Sequence, residues 1–227
     1  MEAAIVTVGD ELLAGDTQNT NATWLASGLT DRGVGVERVT TLPDREADIA
    51  RVVNEYRAAY DAVIVTGGVG PTHDDVTMAG VAAALGRGLV DNDAALEWLE
   101  TESEYAADDL DEGTTALPAG ARPVHNTVGV APGCVVEGVY VFPGVPDEMQ
   151  AMFESVAAEF TGDRDAIAVV ETSEPESELL GRLRAVREEF DVTVGSYPGE
   201  TVRVKFAGEE DAVASAAAWF RERVETV

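Results

Sequence analysis

AVIVTGGVGPTHDD, residues 62–75, is the stretch of sequence that decides the fold. It begins as an unbroken apolar run, which is typical of a strand covered on both faces. Three glycines and a proline then interrupt the run, so the backbone is expected to turn sharply and to approach a ligand without an intervening Cβ atom. Asp74 and Asp75 follow, where a helix with apolar residues on one face is predicted to begin.

A strand, a glycine turn and a helix N-terminus together form the usual geometry of an anion site. Two carboxylates beside a phosphate would repel it unless a metal ion lay between them, so the stretch is predicted to be a phosphate and metal loop. The alternative is a glycine turn with a capping aspartate and no ligand. A P-loop is excluded because the only lysine is Lys205, and a dinucleotide fingerprint is excluded because His73 stands at its third glycine position.

The charge of the chain is strongly unbalanced. Its 227 residues include 43 acidic and 15 basic side chains, which gives a formal net charge of −28. The acids are spread over all the predicted helices, a pattern typical of halophilic proteins, in which molar salt screens the self-repulsion. This charge argues against nucleic acids and anionic membranes as partners.

Several compartment signals are missing from the sequence. Cys134 is the only cysteine, so no disulfide can form within the chain, and its apolar neighbours predict a buried thiol. No apolar run approaches the length of a membrane span, and the first residues lack the basic segment of a signal peptide. The sequence therefore predicts a cytoplasmic protein.

The order of the patterns predicts an α/β domain over residues 1–162. Strands at 3–8, 34–42 and 62–66 alternate with helices, which favours a parallel sheet. A hairpin around Glu137 and Gly138 and a helix after Pro146 complete it, while 107–120 is predicted to be a mobile surface loop and 122–133 to be irregular. Residues 163–227 are predicted to form a small α+β domain.

Two acidic clusters follow strands that are expected to be neighbours. In a doubly wound sheet the first and third strands lie side by side, and ligands bind beyond their carboxyl ends. Asp10 and Glu11 follow the first strand, and Asp74 and Asp75 follow the third. The four carboxylates are therefore predicted to face one crevice and to bind a divalent cation.

Five motifs together resemble one family. They are GDELL at 9–13, NTNA at 19–22, TGGVGPTHDDVT at 66–77, Asn126 with APG at 131–133, and FPGVP with Glu148 and Met149 at 142–149. This set resembles the molybdopterin-binding fold family of MoaB and MogA, and more closely the N-terminal part of CinA. The later GSYP at 195–198 resembles the small domain that follows it in CinA-like chains, and the order of elements there is KH-like without a Gly-x-x-Gly loop.

The resemblance implies a three-layer α/β/α domain with a mostly parallel, doubly wound sheet, and a nucleotide or pterin phosphate as ligand. It implies metal-dependent pyrophosphate hydrolysis of ADP-ribose, as in CinA-like proteins, with Mg²⁺ or Co²⁺. The alternatives are binding and adenylylation of molybdopterin, as in the MoaB and MogA branch, and a non-catalytic binding module. A homo-oligomer, dimer or trimer, is expected, and the deamidase domain of full-length CinA is not matched, so nicotinamide mononucleotide deamidation is not expected.

The resemblance also assigns roles to residues. Asp75 matches the aspartate of the glycine motif, and Glu11 or Asp10 is expected to orient the attacking water. The residues expected to hold the metal are Asp10, Glu11, Asp74 and Asp75. The residues expected to contact the ligand are Asp10, Asn21, Thr66, Gly67, Gly68, Gly70, Thr72, Pro143, Gly144 and Pro146. Asn21 has a surface polar residue or a helix cap as its alternative role. Asp44 follows the second strand, beside the crevice, and is expected to cap its helix.

Overall fold

The computed structural model describes residues 1–70, 72, 75–102, 113–162 and 165–227. The chain divides into two compact units, Met1–Asp163 and Arg164–Val227. The strands of the first unit are β1 (Glu2–Val8), β2 (Gly35–Leu42), β3 (Ala62–Thr66), β4 (Leu89–Asp91), β5 (Ala116–Pro118), β6 (Arg122–Val124), β7 (Gly133–Val136) and β8 (Val139–Phe142). Its helices are α1 (Asp10–Ala14), α2 (Thr20–Thr30), α3 (Glu46–Ala59), α4 (Thr77–Ala84), α5 (Asp93–Glu102) and α6 (Pro146–Val156).

The main sheet of this unit has the strand order β2-β1-β3-β8-β7-β6. The first four strands are parallel, and β7 and β6 add to one edge in the antiparallel sense. Thr41, Thr7, Thr66 and Phe142 lie opposite one another across the four parallel strands. The loops that follow these residues therefore begin side by side at one edge, and the predicted mostly parallel sheet with adjacent first and third strands is confirmed.

Helices cover both faces of the sheet. Strand β1 alternates between two cores, because Ala3 and Ile5 pack with α2 and α6 while Val6 and Val8 pack with α3 and α4. Burial on both faces explains why the strands read as continuous apolar runs. The three-layer α/β/α architecture is thus confirmed. Cys134 is buried in one of the cores, as predicted, and burial raises the pKa of its thiol to about 12.

The structure differs from the predictions in three short segments. Helix α1 is only five residues long, too short to produce a helical period in the sequence, and it was not predicted. Strand β6 lies within 122–133, predicted to be irregular, and its Pro123 is tolerated because β6 is an edge strand. The predicted mobile loop at 107–120 contains β5, which pairs with β4; its residues 107–112 lie outside the described part of the chain.

The second unit contains the strands β9 (Ala166–Thr172), β10 (Val192–Pro198) and β11 (Val202–Gly208) and the helices α7 (Glu176–Glu189) and α8 (Glu210–Arg221). Its antiparallel sheet has the order β10-β11-β9. Apolar residues of the sheet and both helices, such as Leu179, Phe206 and Phe220, form a separate core. None of the helices in the described residues of either unit is long and apolar enough to cross a membrane.

Glu174 connects helix α7 to the C-terminal segment of the second unit through hydrogen bonds. Arg182 donates from Nη1 to Glu174 Oε1 at 3.0 Å and from Nη2 to Glu174 Oε2, and the Glu225 N–H donates to Glu174 Oε1 at 2.7 Å. The hydrogen bonds from Arg182 and then from Glu225 hold the pKa of Glu174 below its ordinary value of 4.5. The ionised carboxylate therefore ties α7 to the C-terminal segment.

Replacing Glu174 with glutamine is expected to lower the unfolding temperature at pH 7. Because the pKa of Glu174 is depressed by folding, its contribution is present above the unfolded-state pKa and is lost as the pH falls through the folded-state pKa. The difference from the parent protein should therefore shrink below about pH 4. Thermal unfolding followed by circular dichroism at several pH values tests this. The exposed Glu188→Gln in α7 is the control with the same charge change, and a difference that persists at low pH would contradict the expectation.

Candidate functional site

A cavity of about 310 Å³ opens beyond the carboxyl ends of β1 and β3. Its wall is formed by the residues that follow these strands, by the start of α2, and by Gly144 and Pro146. Among the residues that the structure describes, three carboxylate side chains line it, those of Glu11, Asp44 and Asp75. The structure therefore brings Glu11 and Asp75 together, although 64 positions separate them in the sequence.

Asp44 replaces Asp10 in this wall. The exposed Asp10 does not line the cavity, and its backbone N–H donates to Asp44 Oδ2 at 2.8 Å. Asp44 was expected to cap the helix that follows, but α3 has Arg45 at its N-cap position and no side-chain cap. The predicted cap was therefore wrong, while Asp44, which follows the second strand, lines the cavity where the crevice was expected.

The glycines that follow β3, at positions 67, 68 and 70 (the glycine loop), have two different roles. Gly67 has φ +102°, and a Cβ there would lie 2.1 Å from the Val8 carbonyl oxygen. The Gly67 N–H donates to Phe142 O at 3.1 Å, so it belongs to the sheet and is not available to a phosphate, contrary to prediction. The Gly68 and Gly70 N–H groups donate to no acceptor within the described part of the chain, and they remain available to an anion.

Asp75 is held by the loop that precedes it. The Thr72 N–H donates to Asp75 Oδ2 at 3.1 Å, and the Thr72 hydroxyl donates to the same oxygen. Helix α4 begins at Thr77 with Val76 at its N-cap position, so Asp75 lies before the helix, and the alternative role of a capping aspartate is not observed. The Thr72 hydroxyl, predicted to contact the ligand, is instead bonded to Asp75. Asp74 lies outside the described residues.

Asn21 connects α2 to the turn after β8. Its Nδ2 donates to Gly144 O at 2.7 Å and to Thr66 Oγ1 at 3.4 Å. The cap of α2 is Asn19, whose Oδ1 accepts from the Ala22 N–H at 3.1 Å, so Asn21 does not act as the cap. The Thr66 hydroxyl donates to Pro143 O at 2.6 Å, so it positions the turn. Thr66 had been expected to contact the ligand, but the proton of its hydroxyl is not free to do so.

Two buried oxygen atoms near the cavity are unpaired. Asn21 Oδ1 and Thr77 Oγ1 have no hydrogen-bond partner among the described residues. Asn21 lines the cavity, and Thr77 Oγ1 lies 2.8 Å from the position of a Cβ on Gly68. A buried polar atom without a partner costs about 1–3 kcal/mol. Such atoms beside a cavity favour a polar ligand that supplies the missing hydrogen bonds.

A second cavity of about 590 Å³ adjoins the first. Gly68, Asp75 and Gly144 line both, so the glycine loop forms a shared wall. The remaining predicted wall residues divide between them, because Pro146 lines the first cavity while Gly70 and Pro143 line the second. A ligand on the glycine loop can therefore extend in two directions.

The carboxylates suit a metal that is shared with a substrate. Among the residues that the structure describes, no group of three or more His, Cys, Asp or Glu side chains is placed to hold a metal ion alone. Mg²⁺ commonly uses one or two protein carboxylates and takes its other ligands from phosphates and water. Glu11 and Asp75 line one cavity together with Gly68, whose amide is free, and fit that requirement.

Comparison with known proteins gives consistent matches. Residues 4–162 match the family described as a probable molybdopterin binding domain. A protein of Archaeoglobus fulgidus is 40% identical, covering 92% of each chain, and one of Pyrococcus furiosus is 38% identical, covering 98% of this chain and 97% of the other. The structure of CinA, a protein of unknown function from Thermoplasma acidophilum, is 33% identical with a TM-score of 0.65, covering 71% of this chain and 99% of that one. The predicted resemblance is confirmed, and the chain belongs to the family of the probable molybdopterin-binding domain.

Proposed function

We propose that the first unit hydrolyses the phosphoanhydride bond of ADP-ribose or a related nucleotide diphosphate, with Mg²⁺ or Co²⁺ as the metal. The observation that carries this proposal is one cavity lined by Glu11, Asp75 and Gly68, which adjoins a second cavity lined by Gly70; the N–H groups of both glycines donate to no acceptor among the described residues. Carboxylates and amides on one wall are needed where a charged phosphate must be both held and attacked.

The residues divide into those that hold the phosphates and those that act on water. The Gly68 and Gly70 N–H groups donate to phosphate oxygens, and Glu11 takes the proton of a water whose oxygen attacks one phosphorus. The bond from that phosphorus to the bridging oxygen breaks, and the electron pair leaves with the second phosphate. A Mg²⁺ ion held by Glu11 and Asp75 would offset the phosphate charge and acidify a bound water. AMP and ribose 5-phosphate are the expected products.

The test is incubation of the protein with ADP-ribose and MgCl₂ or CoCl₂ in molar KCl, followed by chromatography of the products. The salt is chosen because we also propose that the acidic surface is an adaptation to a saline cytoplasm. Formation of AMP that stops on addition of a chelator is the expected result. Unchanged ADP-ribose with every metal would contradict the proposed hydrolysis.

A second candidate is binding and adenylylation of molybdopterin, which the description of the matched family favours. Both reactions take place at a phosphoanhydride and require the same amides and carboxylates. Consumption of ATP that depends on molybdopterin would support this candidate over hydrolysis. Saturable binding of either nucleotide without products would instead indicate a module that binds and does not react.

A further inference from the structure

We propose that the second cavity binds the base of the same substrate, and that Glu148 selects a base with an amino group at its edge. The proposal rests on the proposed function for the location of the phosphates. It concerns the cavity lined on one side by 129–131 and on the other by 143–145 and Glu148. None of the expected roles included this glutamate.

The location of the cavity suits the remainder of a nucleotide. Its volume of about 590 Å³ lies within the usual range of about 300–1,000 Å³ for small-molecule sites. Gly68 and Gly70, whose amides are free for a phosphate, form part of its wall. A nucleotide with its phosphates on these amides therefore has room for its sugar and base on the side away from Glu11.

The chemistry of the wall suits a flat ring with a hydrogen-bond donor. Its apolar members are Val69, Val130, Ala131, Pro143 and Val145. Among the described residues of this wall, only Asp75 and Glu148 have polar side chains. Asp75 lies at the shared border, next to the expected phosphates. Ionised carboxylates only accept hydrogen bonds, so a base on this wall must donate one to Glu148.

Glu148 is held in place by a buried asparagine. Asn126 is 1% exposed, and its Nδ2 donates to Glu148 Oε2 at 2.6 Å. The Asn126 Oδ1 accepts from the Val128 and Gly129 N–H groups at 3.1 and 2.8 Å. The loop is thus wound around Asn126, which orients the carboxylate of Glu148.

One oxygen of Glu148 is left for a ligand. Its Oε1 accepts no hydrogen bond within the described part of the chain. The carboxylate lies against Gly129, where a Cβ would come within 2.4 Å of Glu148 Cδ. Glycine at position 129 thus lets the loop approach closely, and an oriented acceptor with spare capacity results.

A purely structural role for Glu148 makes a different prediction. Glu148 lies in the first turn of α6, where an acid interacts favourably with the helix dipole, and it also anchors Asn126. Neither interaction depends on which base is bound. Selection by Glu148 does, because adenine presents a 6-amino donor where hypoxanthine presents an oxygen acceptor. A carboxylate accepts from the first and repels the second.

The experiment compares the binding of AMP and IMP by isothermal titration calorimetry in molar KCl with MgCl₂. The parent protein is expected to bind AMP at least about tenfold more tightly, as sites built around a hydrogen bond do. In Glu148→Gln the ratio should fall to within about threefold, since an amide can present either a donor or an acceptor. Glu154→Gln, on the exposed side of the same helix, has the same charge change and should keep the parent ratio.

Equal affinities of the parent protein for AMP and IMP would overturn the proposal, and so would a parent-like ratio in Glu148→Gln. The ratio in the parent protein is informative even if the variant does not fold. The outcome is also separate from the proposed hydrolysis. Equal hydrolysis of ADP-ribose and its hypoxanthine analogue would refute base selection alone, while selective binding of AMP without any hydrolysis of ADP-ribose would refute only the reaction.

Discussion

Replacing Asp75 with asparagine is expected to reduce the rate of ADP-ribose hydrolysis by at least about 100-fold, within the range for loss of a charged group that acts on the reacting atoms. Asp75 lines both cavities and lies next to the free amide of Gly70. Asparagine has nearly the same volume and can still accept a hydrogen bond from Thr72, so the loop should keep its shape. Only the negative charge needed for the metal is lost.

The matched control for this substitution is Asp147→Asn. Asp147 is an exposed acid in the first turn of α6, and it lines neither cavity. Both variants remove one negative charge, so a shared effect of net charge cancels between them. The measurement is kcat/KM for ADP-ribose, with circular dichroism to verify the fold. Parent-like activity in Asp75→Asn would remove Asp75 from the proposed mechanism.

The sheet could be predicted because its central strands have continuous apolar sequences. Strands β1 and β3 are buried on both faces, so their sequences are unbroken apolar runs, and the alternation of strands with helices fixed their order. Short elements escaped prediction for the opposite reason. Helix α1 and strand β6 are too short to show a period, and Pro123 argues against a strand everywhere except at an edge.

The location of the cavity could be predicted, but the hydrogen bonds around it could not. Adjacent parallel strands end at the same edge, so Glu11 and Asp75 were expected near one another. Whether an N–H group is free depends on neighbours far away in the sequence. The Gly67 N–H donates to Phe142 O, and the hydroxyl of Thr66 donates to Pro143 O. Glycine and threonine in a motif indicate which hydrogen-bonding groups are present, but not which of these groups already have a partner within the fold.

Asp44 and Glu148 show the same limitation of prediction from sequence. Each acid lies close to the start of a helix, where a carboxylate has a sufficient local explanation. The structure gives each a contact with a residue from another loop, since Asp44 accepts from the Asp10 N–H and Glu148 from Asn126. The place of Glu148 at a cavity wall follows from tertiary contacts alone, whereas Asp44 was expected beside the crevice because it follows the second strand.

Replacing Gly67 with alanine is expected to lower the free energy of unfolding by more than about 4 kcal/mol, a size reserved for severe local conflicts. Two costs combine. The φ of +102° is unfavourable for alanine by about 1–2 kcal/mol. In addition, the new Cβ would lie 2.1 Å from Val8 O, and a backbone atom in a buried strand cannot move aside without disturbing the sheet.

Gly86→Ala separates these two costs. Gly86 also has a positive φ, +63°, but a Cβ there would have nothing within 4 Å. Its substitution should therefore cost only about 1–2 kcal/mol. For a chain of this size 1 kcal/mol corresponds to roughly 2–4 °C in Tm, so thermal unfolding distinguishes the variants clearly. Equal losses in both would contradict a close approach of Gly67 to Val8.

The same comparison connects the fold to the site. Val8 is followed by helix α1, which carries Glu11, and Gly67 by the loop that carries Asp75. The approach that requires glycine at position 67 therefore also brings the two acids to one cavity. Below its unfolding temperature, Gly67→Ala should lose affinity for AMP by about tenfold or more, because a displaced loop no longer presents its amides together. Gly86→Ala, whose backbone strain lies at the far end of α4, should retain the parent affinity.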